Sequence, residues 1–193
     1  MMLSRLWLTG YRGYELNVYQ DNDPKLAVIK YSLKNTLQVY LEDGLEWLIT
    51  GAQLGVEQWG VEVAVDLKQD FPNFKIAVML PFAEFGKQWN EKNQERLNQI
   101  LTKADFSAKV SEHPYENPSQ LKNYQTFMSE HTDGALMVYD PEYPGKPQYD
   151  YDFLKRKTER DANYPLQLLD FYELQDQAEQ LSERQRSDDD SAE

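Results

Sequence analysis

Seven consecutive residues, Gly51-Ala52-Gln53-Leu54-Gly55-Val56-Glu57, set two glycines four apart beside a side-chain amide and a carboxylate. Glycines where a strand ends and a helix begins let the backbone turn sharply, and they let an anion reach exposed N–H groups without meeting a Cβ. The positive end of the following helix adds attraction for that anion. This is the chemistry of holding a phosphate, with Gln53 and Glu57 placed for ribose hydroxyls. The same spacing also describes a plain strand-to-helix turn, and Glu57 can equally be an acid that complements the helix dipole. Three other loops shift the balance. Arg12, after Gly10, suits a phosphate clamp or a plain surface arginine; Trp89, after Phe85-Gly86-Lys87-Gln88, suits stacking on a base or packing alone; and Tyr139 opens the loop Tyr139-Asp140-Pro141. The candidate ligand-binding residues are therefore Gly10, Arg12, Gly51, Gln53, Gly55, Glu57, Trp89 and Tyr139. Glu57 and Glu84 are the candidate catalytic carboxylates, suited to stabilising an oxocarbenium-like centre or activating water.

Positioning these residues requires strands that end at one edge. Residues 3–9 read as a strand closing at Gly10-Tyr11-Arg12-Gly13. Leu26, Ile29, Leu33, Leu37 and Leu41 then repeat at helical spacing behind Asp23-Pro24, with Gly44 just past the end. A short strand at 46–50 runs into the Gly51 loop. The next helix carries Val56, Trp59, Val63 and Leu67 on one face and stops at Pro72. Residues 75–80 are a near-continuous apolar run, as expected of a strand covered on both faces. Further helices are expected at 90–104, 119–131, 151–162 and from 172 to about 183, with strands at 105–110, 134–139 and 165–168. Strands alternating with covering helices imply an α/β, Rossmann-like three-layer sandwich with a largely parallel sheet. In such a sheet ligands bind outside the carboxyl ends of the strands, where the loops above lie.

Composition narrows the function. The chain has 193 residues, 40% of them hydrophobic, enough for one core. The expected organisation is a Rossmann-like domain over 1–170, a C-terminal helix over 171–186 and an acidic, disordered tail over 187–193. The short apolar run at the N-terminus suits a first strand better than a signal peptide, and no run is long enough to span a bilayer. The absence of cysteine excludes disulfides, thiolate metal sites and cysteine nucleophiles, and agrees with a cytoplasmic location. His113 and His131 are the only histidines and are read as surface or helix-end residues, so no metal site is expected. A net charge of −13 disfavours broad contact with nucleic acid. Lys155-Arg156-Lys157 with Arg160 is a basic patch that suits either a solvated helix face or a phosphate or partner contact.

The blocks Thr9-Gly10-Tyr11-Arg12, Gly44-Leu45-Glu46-Trp47, Gly51 to Trp59, Pro81-Phe82, Trp89, Pro114-Tyr115-Glu116, Asp133-Gly134 and Tyr139-Asp140-Pro141 together resemble the YpsA-like family of Gram-positive bacteria, within the SLOG superfamily of Rossmann-like proteins. The resemblance implies a site for NAD, ADP-ribose or a related nucleotide at Gly51, Gln53, Gly55 and Glu57, and a link to cell-division control. The superfamily also holds the DNA-processing protein DprA and nucleotide phosphoribohydrolases. The latter carry a Pro-Gly-Gly-x-Gly-Thr-x-x-Glu pattern absent here; Pro144-Gly145-Lys146-Pro147 comes nearest and lacks its glutamate. At the start of the helix near 151, relatives carry Gly-Thr where this chain has Asp150-Tyr151-Asp152, two acids that would repel a phosphate.

The expected function is a nucleotide-binding regulatory protein with NAD or ADP-ribose as ligand and no certain cofactor. Division proteins and further copies of the chain are its candidate partners. The alternatives are an N-glycosidic hydrolase of nucleotides and an interaction module with a vestigial pocket.

Overall fold

The computed structural model describes residues 3–191; residues 1–2 of the expected domain and 192–193 of the expected tail lie outside that range. Six strands, β1 (Arg5–Gly10), β2 (Trp47–Thr50), β3 (Lys75–Leu80), β4 (Phe106–Lys109), β5 (Gly134–Val138) and β6 (Leu166–Leu169), form one sheet in the order β4-β3-β2-β1-β5-β6. Every pairing is parallel, with Leu6 opposite both Leu48 and Gly134. The helices are α1 (Pro24–Glu42), α2 (Val56–Leu67), α3 (Glu91–Lys103), α4 (Ser119–Glu130), α5 (Gln148–Arg160) and α6 (Phe171–Asp190). α1 packs on α2 and α6, and α2 on α3, while α4 and α5 pack together, so the chain is the α/β three-layer sandwich that the alternation predicts.

Local chemistry explains these elements. Burial on both faces explains why β1, β3 and β5 are nearly pure apolar runs: Leu6, Trp7, Leu8, Ile76, Val78, Leu136, Met137 and Val138 have no exposed surface. Each such side chain contributes about 1.5–3 kcal/mol by leaving water. α1 begins as the Asp23-Pro24 signal predicts, the Asp23 side chain accepting from the Lys25 amide at 2.8 Å. α2 can lie close to β1 because Gly60 faces Leu8 with no room for a Cβ. α6 departs from expectation by continuing past Glu183 to Asp190, through most of the segment read as a disordered tail. Asp170 caps it, accepting from the Glu173 amide at 2.9 Å, and Leu181, Glu183, Arg184, Gln185 and Arg186 are good helix formers.

The sheet order reverses between β1 and β5, since the chain leaves β1 towards β2 on one side and returns to it through β5 on the other. That is the switch point at which open α/β sheets bind ligands. Among the described residues no helix is long and apolar enough to cross a membrane.

Candidate functional site

At the carboxyl ends of β1, β2 and β3, beside α4 and α5, lies a cleft of about 1080 Å³, just above the usual range of about 300–1,000 Å³ for small-molecule sites. Its floor is a carboxyl pair. Glu57, in the first turn of α2, accepts from the Gln53 amide at 2.8 Å and from the Thr9 hydroxyl at 3.0 Å. Asp150, in the first turn of α5, lies 3.4 Å from the same Thr9 hydroxyl and accepts from the Gln125 amide group at 2.7 Å. Thr9 is 2% exposed. Burial pushes the Glu57 carboxyl up to about 7 and the neighbouring Asp150 charge adds to this, while the Gln53 and Thr9 hydrogen bonds and Arg12 oppose it. Burial raises Asp150 as well, against the pull of Gln125, Thr9 and Arg12. Tyr124, whose hydroxyl donates to the Met79 carbonyl at 3.1 Å, completes the floor.

One wall is aromatic. Phe85 meets Trp89 edge-on at 5.1 Å, and Phe82 packs on Phe85 and Tyr115 at 5.5 and 5.3 Å. The loop bearing Tyr115 is pinned by the buried side chain of Gln120. Its oxygen accepts from the Glu116 and Asn117 amides, and its nitrogen donates to the Pro114 carbonyl at 3.0 Å. The Ala83 amide, donating to the His113 carbonyl at 3.0 Å, ties this loop to the one after β3.

The rim is basic although the protein is acidic. Arg12, Lys122, Lys146 and Arg156 line the cleft, and none of them takes part in the ion pairs found among the described residues. Two of these cations are set by one residue: Glu15 accepts from the Arg12 amide at 2.7 Å and from the Lys146 amide at 2.6 Å. The Tyr11 hydroxyl donates to the Tyr143 carbonyl at 2.7 Å and accepts from the Asp140 amide at 3.0 Å, holding the loops after β1 and β5 together.

Of the residues expected from sequence, Gly10, Arg12, Gly51, Gln53, Glu57 and Trp89 line this cleft. Three do not. Tyr139 is 1% exposed, its ring packed between Tyr11 and Tyr151. Glu84 pairs with Lys87 on the outer surface. Gly55 lies against the β1 loop, where a Cβ would stand 2.6–2.7 Å from backbone atoms of Gly13, Tyr11 and Arg12. Three of the loop amides expected to face a phosphate donate within the protein. The Gln53 amide serves Glu57, the Leu54 amide donates to the Gln53 side chain and the Val56 amide to the Tyr11 carbonyl. Gly51 is glycine because a side chain there would occupy the space of the Glu57 carboxyl and the Tyr124 hydroxyl.

Thr9, Asp150, Tyr124, Lys122 and Lys146 enter the site without having been expected in it. Asp150 carried a signal, being an acid at the start of a helix beside a phosphate-type loop. Lys122 and Tyr124 carried none, since helical spacing reads α4 as a core element. Arg156 turns one corner of the basic patch into the rim. His131 caps α4 and stacks on Phe127, a helix-end residue as expected. Among the described residues no group of three potential ligands gathers for a metal.

The sequence profile of the YspA SLOG family matches residues 6–174. A UPF0398 protein of Lactiplantibacillus plantarum is 55% identical over 96% of this chain and 97% of its own length. Another from Lacticaseibacillus casei is 56% identical over 95% of each, and one from Limosilactobacillus reuteri 53% identical over 97% and 99%. The match takes in the floor, aromatic wall and rim of the cleft, and the chain belongs to the YspA SLOG family.

Proposed function

We propose that the cleft binds a ribonucleotide of the NAD or ADP-ribose class and that the protein acts in the cytoplasm as a nucleotide-responsive regulator. The observation that carries this reading is the meeting, in one cleft, of an aromatic wall, a carboxyl floor and a rim of unpaired cations. The base stacks on Trp89 and Phe85, the ribose hydroxyls face Glu57 and Asp150, and the phosphates lie towards Arg12 and Lys146. This orientation follows from electrostatics: two acids at the floor repel phosphate, and the cations stand at the rim. A role in cell division draws its support from the family resemblance.

Calorimetric titration with ADP-ribose, NAD and AMP tests the reading. At least one is expected to bind, and Trp89→Ala to weaken it at least fivefold, because base–aromatic stacking is worth about 1–3 kcal/mol. No heat from any of the three, or Glu57→Ala binding as the wild type does, would contradict it.

A second reading, hydrolysis of a nucleotide N-glycosidic bond, is favoured by one observation. A carboxyl that titrates near 7 beside a second carboxyl is suited to general acid–base work. Release of free base from nucleoside monophosphates, abolished in Glu57→Gln, is the expected result under this reading; no release over hours rejects it.

A further inference from the structure

We infer that Thr9, Glu57 and Asp150 form one proton-sharing unit that selects a free vicinal diol and makes the binding of an anionic ribosyl ligand depend on the shared proton. The inference deepens the nucleotide reading above, and its ligand arm rests on that reading.

The geometry is that of one hydroxyl between two carboxyls. Thr9 Oγ1 lies 3.0 Å from Glu57 Oε1 and 3.4 Å from Asp150 Oδ2, yet a threonine hydroxyl has a single proton to donate. With both acids ionised, one of the two contacts would set lone pair against lone pair. With one proton on the pair, a carboxyl donates to Thr9 and Thr9 donates to the other carboxylate, so both contacts become hydrogen bonds.

The surrounding groups agree with one retained proton. Glu57 is faced by the Gln53 amide from the loop before α2, by Tyr124 from α4 and by Arg12 from the loop after β1; Asp150 is faced by Gln125 from α4 and by Arg12. Asp152 adds a third acid to the cleft lining, and Lys122, Lys146 and Arg156 stand at its rim. One guanidinium acting on both carboxyls compensates one negative charge, not two.

The shared proton is taken up by Thr9, so the two carboxyl groups offer acceptor oxygens a single hydroxyl apart, which complement the two O–H donors of adjacent hydroxyls. A ligand lacking one hydroxyl leaves a recessed carboxyl unpaired, and a 2′-phosphate sets a dianion on the pair. Losing the proton adds a charge that repels the ligand's phosphates. Affinity for a pyrophosphate ligand must then fall as pH rises through neutrality.

Two measurements decide this. The first uses the free protein: the Glu57 carboxyl is followed by carbon-13 NMR titration in wild type and Asp150→Asn. Its midpoint is expected to fall by at least about half a pH unit in the variant, as the neighbouring charge is lost. An unchanged midpoint overturns the shared proton. The second is calorimetry with ADP-ribose, whose pyrophosphate keeps its charge from pH 6.0 to 8.5. Affinity is expected to drop about tenfold over that range in wild type and to begin its drop at lower pH in Asp150→Asn, following the lowered Glu57 midpoint, with 2′-deoxy-ADP-ribose about tenfold weaker than ADP-ribose at pH 6.0. Equal affinity for the two ligands overturns diol selection and leaves the nucleotide reading standing. Absence of binding by ADP-ribose, NAD and AMP alike overturns the nucleotide reading and diol selection with it, and the NMR titration alone then decides the shared proton.

Discussion

Gly55→Ala is expected to destabilise the protein by about 3 kcal/mol or more and to lower its melting temperature by about 6–12 °C. Gly55 sits at φ 119°, ψ −134°, a backbone region that residues with a Cβ essentially never occupy, so any side chain adds strain. The added atom would also stand 2.6 Å from the Gly13 nitrogen and the Tyr11 carbonyl oxygen and 2.7 Å from the Arg12 Cα. Those are backbone atoms, which cannot rotate away as a side-chain tip can. The contact closes a two-residue bridge, in which the Gly13 amide donates to the Leu54 carbonyl and the Val56 amide to the Tyr11 carbonyl. Relief of the clash would therefore pull the loop carrying Arg12 away from the start of α2. Thermal unfolding checks this; a loss below about 1 kcal/mol would contradict it. Gly51→Ala is the contrasting case. Its clash is with the Glu57 carboxyl and the Tyr124 hydroxyl, so it should displace the floor of the site more than it unfolds the chain.

Glu57→Gln is expected to stabilise the protein at pH 8 by about 1–3 kcal/mol, a gain that vanishes towards pH 4.5. The Glu57 carboxyl titrates at about 7 in the folded protein against an ordinary 4.5, chiefly because it is buried. The folded state therefore binds the extra proton between these values, stability falls as pH rises through that window, and the whole cost is present above pH 7. Glutamine removes the ionisation, and its side-chain oxygen can still accept from the Gln53 amide. Urea unfolding at pH 8 and pH 5 measures the difference, and a variant less stable than wild type at pH 8 would contradict the burial argument. At pH 6, where Glu57 holds its proton, the same substitution should weaken nucleotide binding. A carboxyl that costs stability and gains affinity is the usual sign of a site maintained for function.

Much of the fold is legible in the sequence because its elements are local. The run at 75–80 announces a strand covered on both faces, and Asp23-Pro24 announces the start of α1. The end of the C-terminal helix is not legible, since residues after Leu181 lack apolar periodicity and the last four residues of α6, Ser187 to Asp190, are poor helix formers. The site was legible as an edge but not as an arrangement. Gly55 was recognisable as a required glycine, while the reason for it, close approach of the loop after β1, depends on residues some forty positions earlier. Asp150 looked like a flaw in a phosphate site because no local pattern shows that α5 brings it to Thr9, on the far side of the sheet's switch point. A position at a strand end points Tyr139 towards the site, but its ring turns away between Tyr11 and Tyr151.

The central claim, that this cleft holds a ribonucleotide with its sugar on the carboxyl pair, is tested most directly by a crystal structure of the protein with ADP-ribose. The account predicts adenine against Trp89, a ribose diol within hydrogen-bonding distance of Glu57 and Asp150, and phosphates beside Arg12 and Lys146. A ligand with its phosphates on the carboxyl floor, or one bound at the opposite end of the sheet near Trp47 and Tyr164 with this cleft empty, would contradict it.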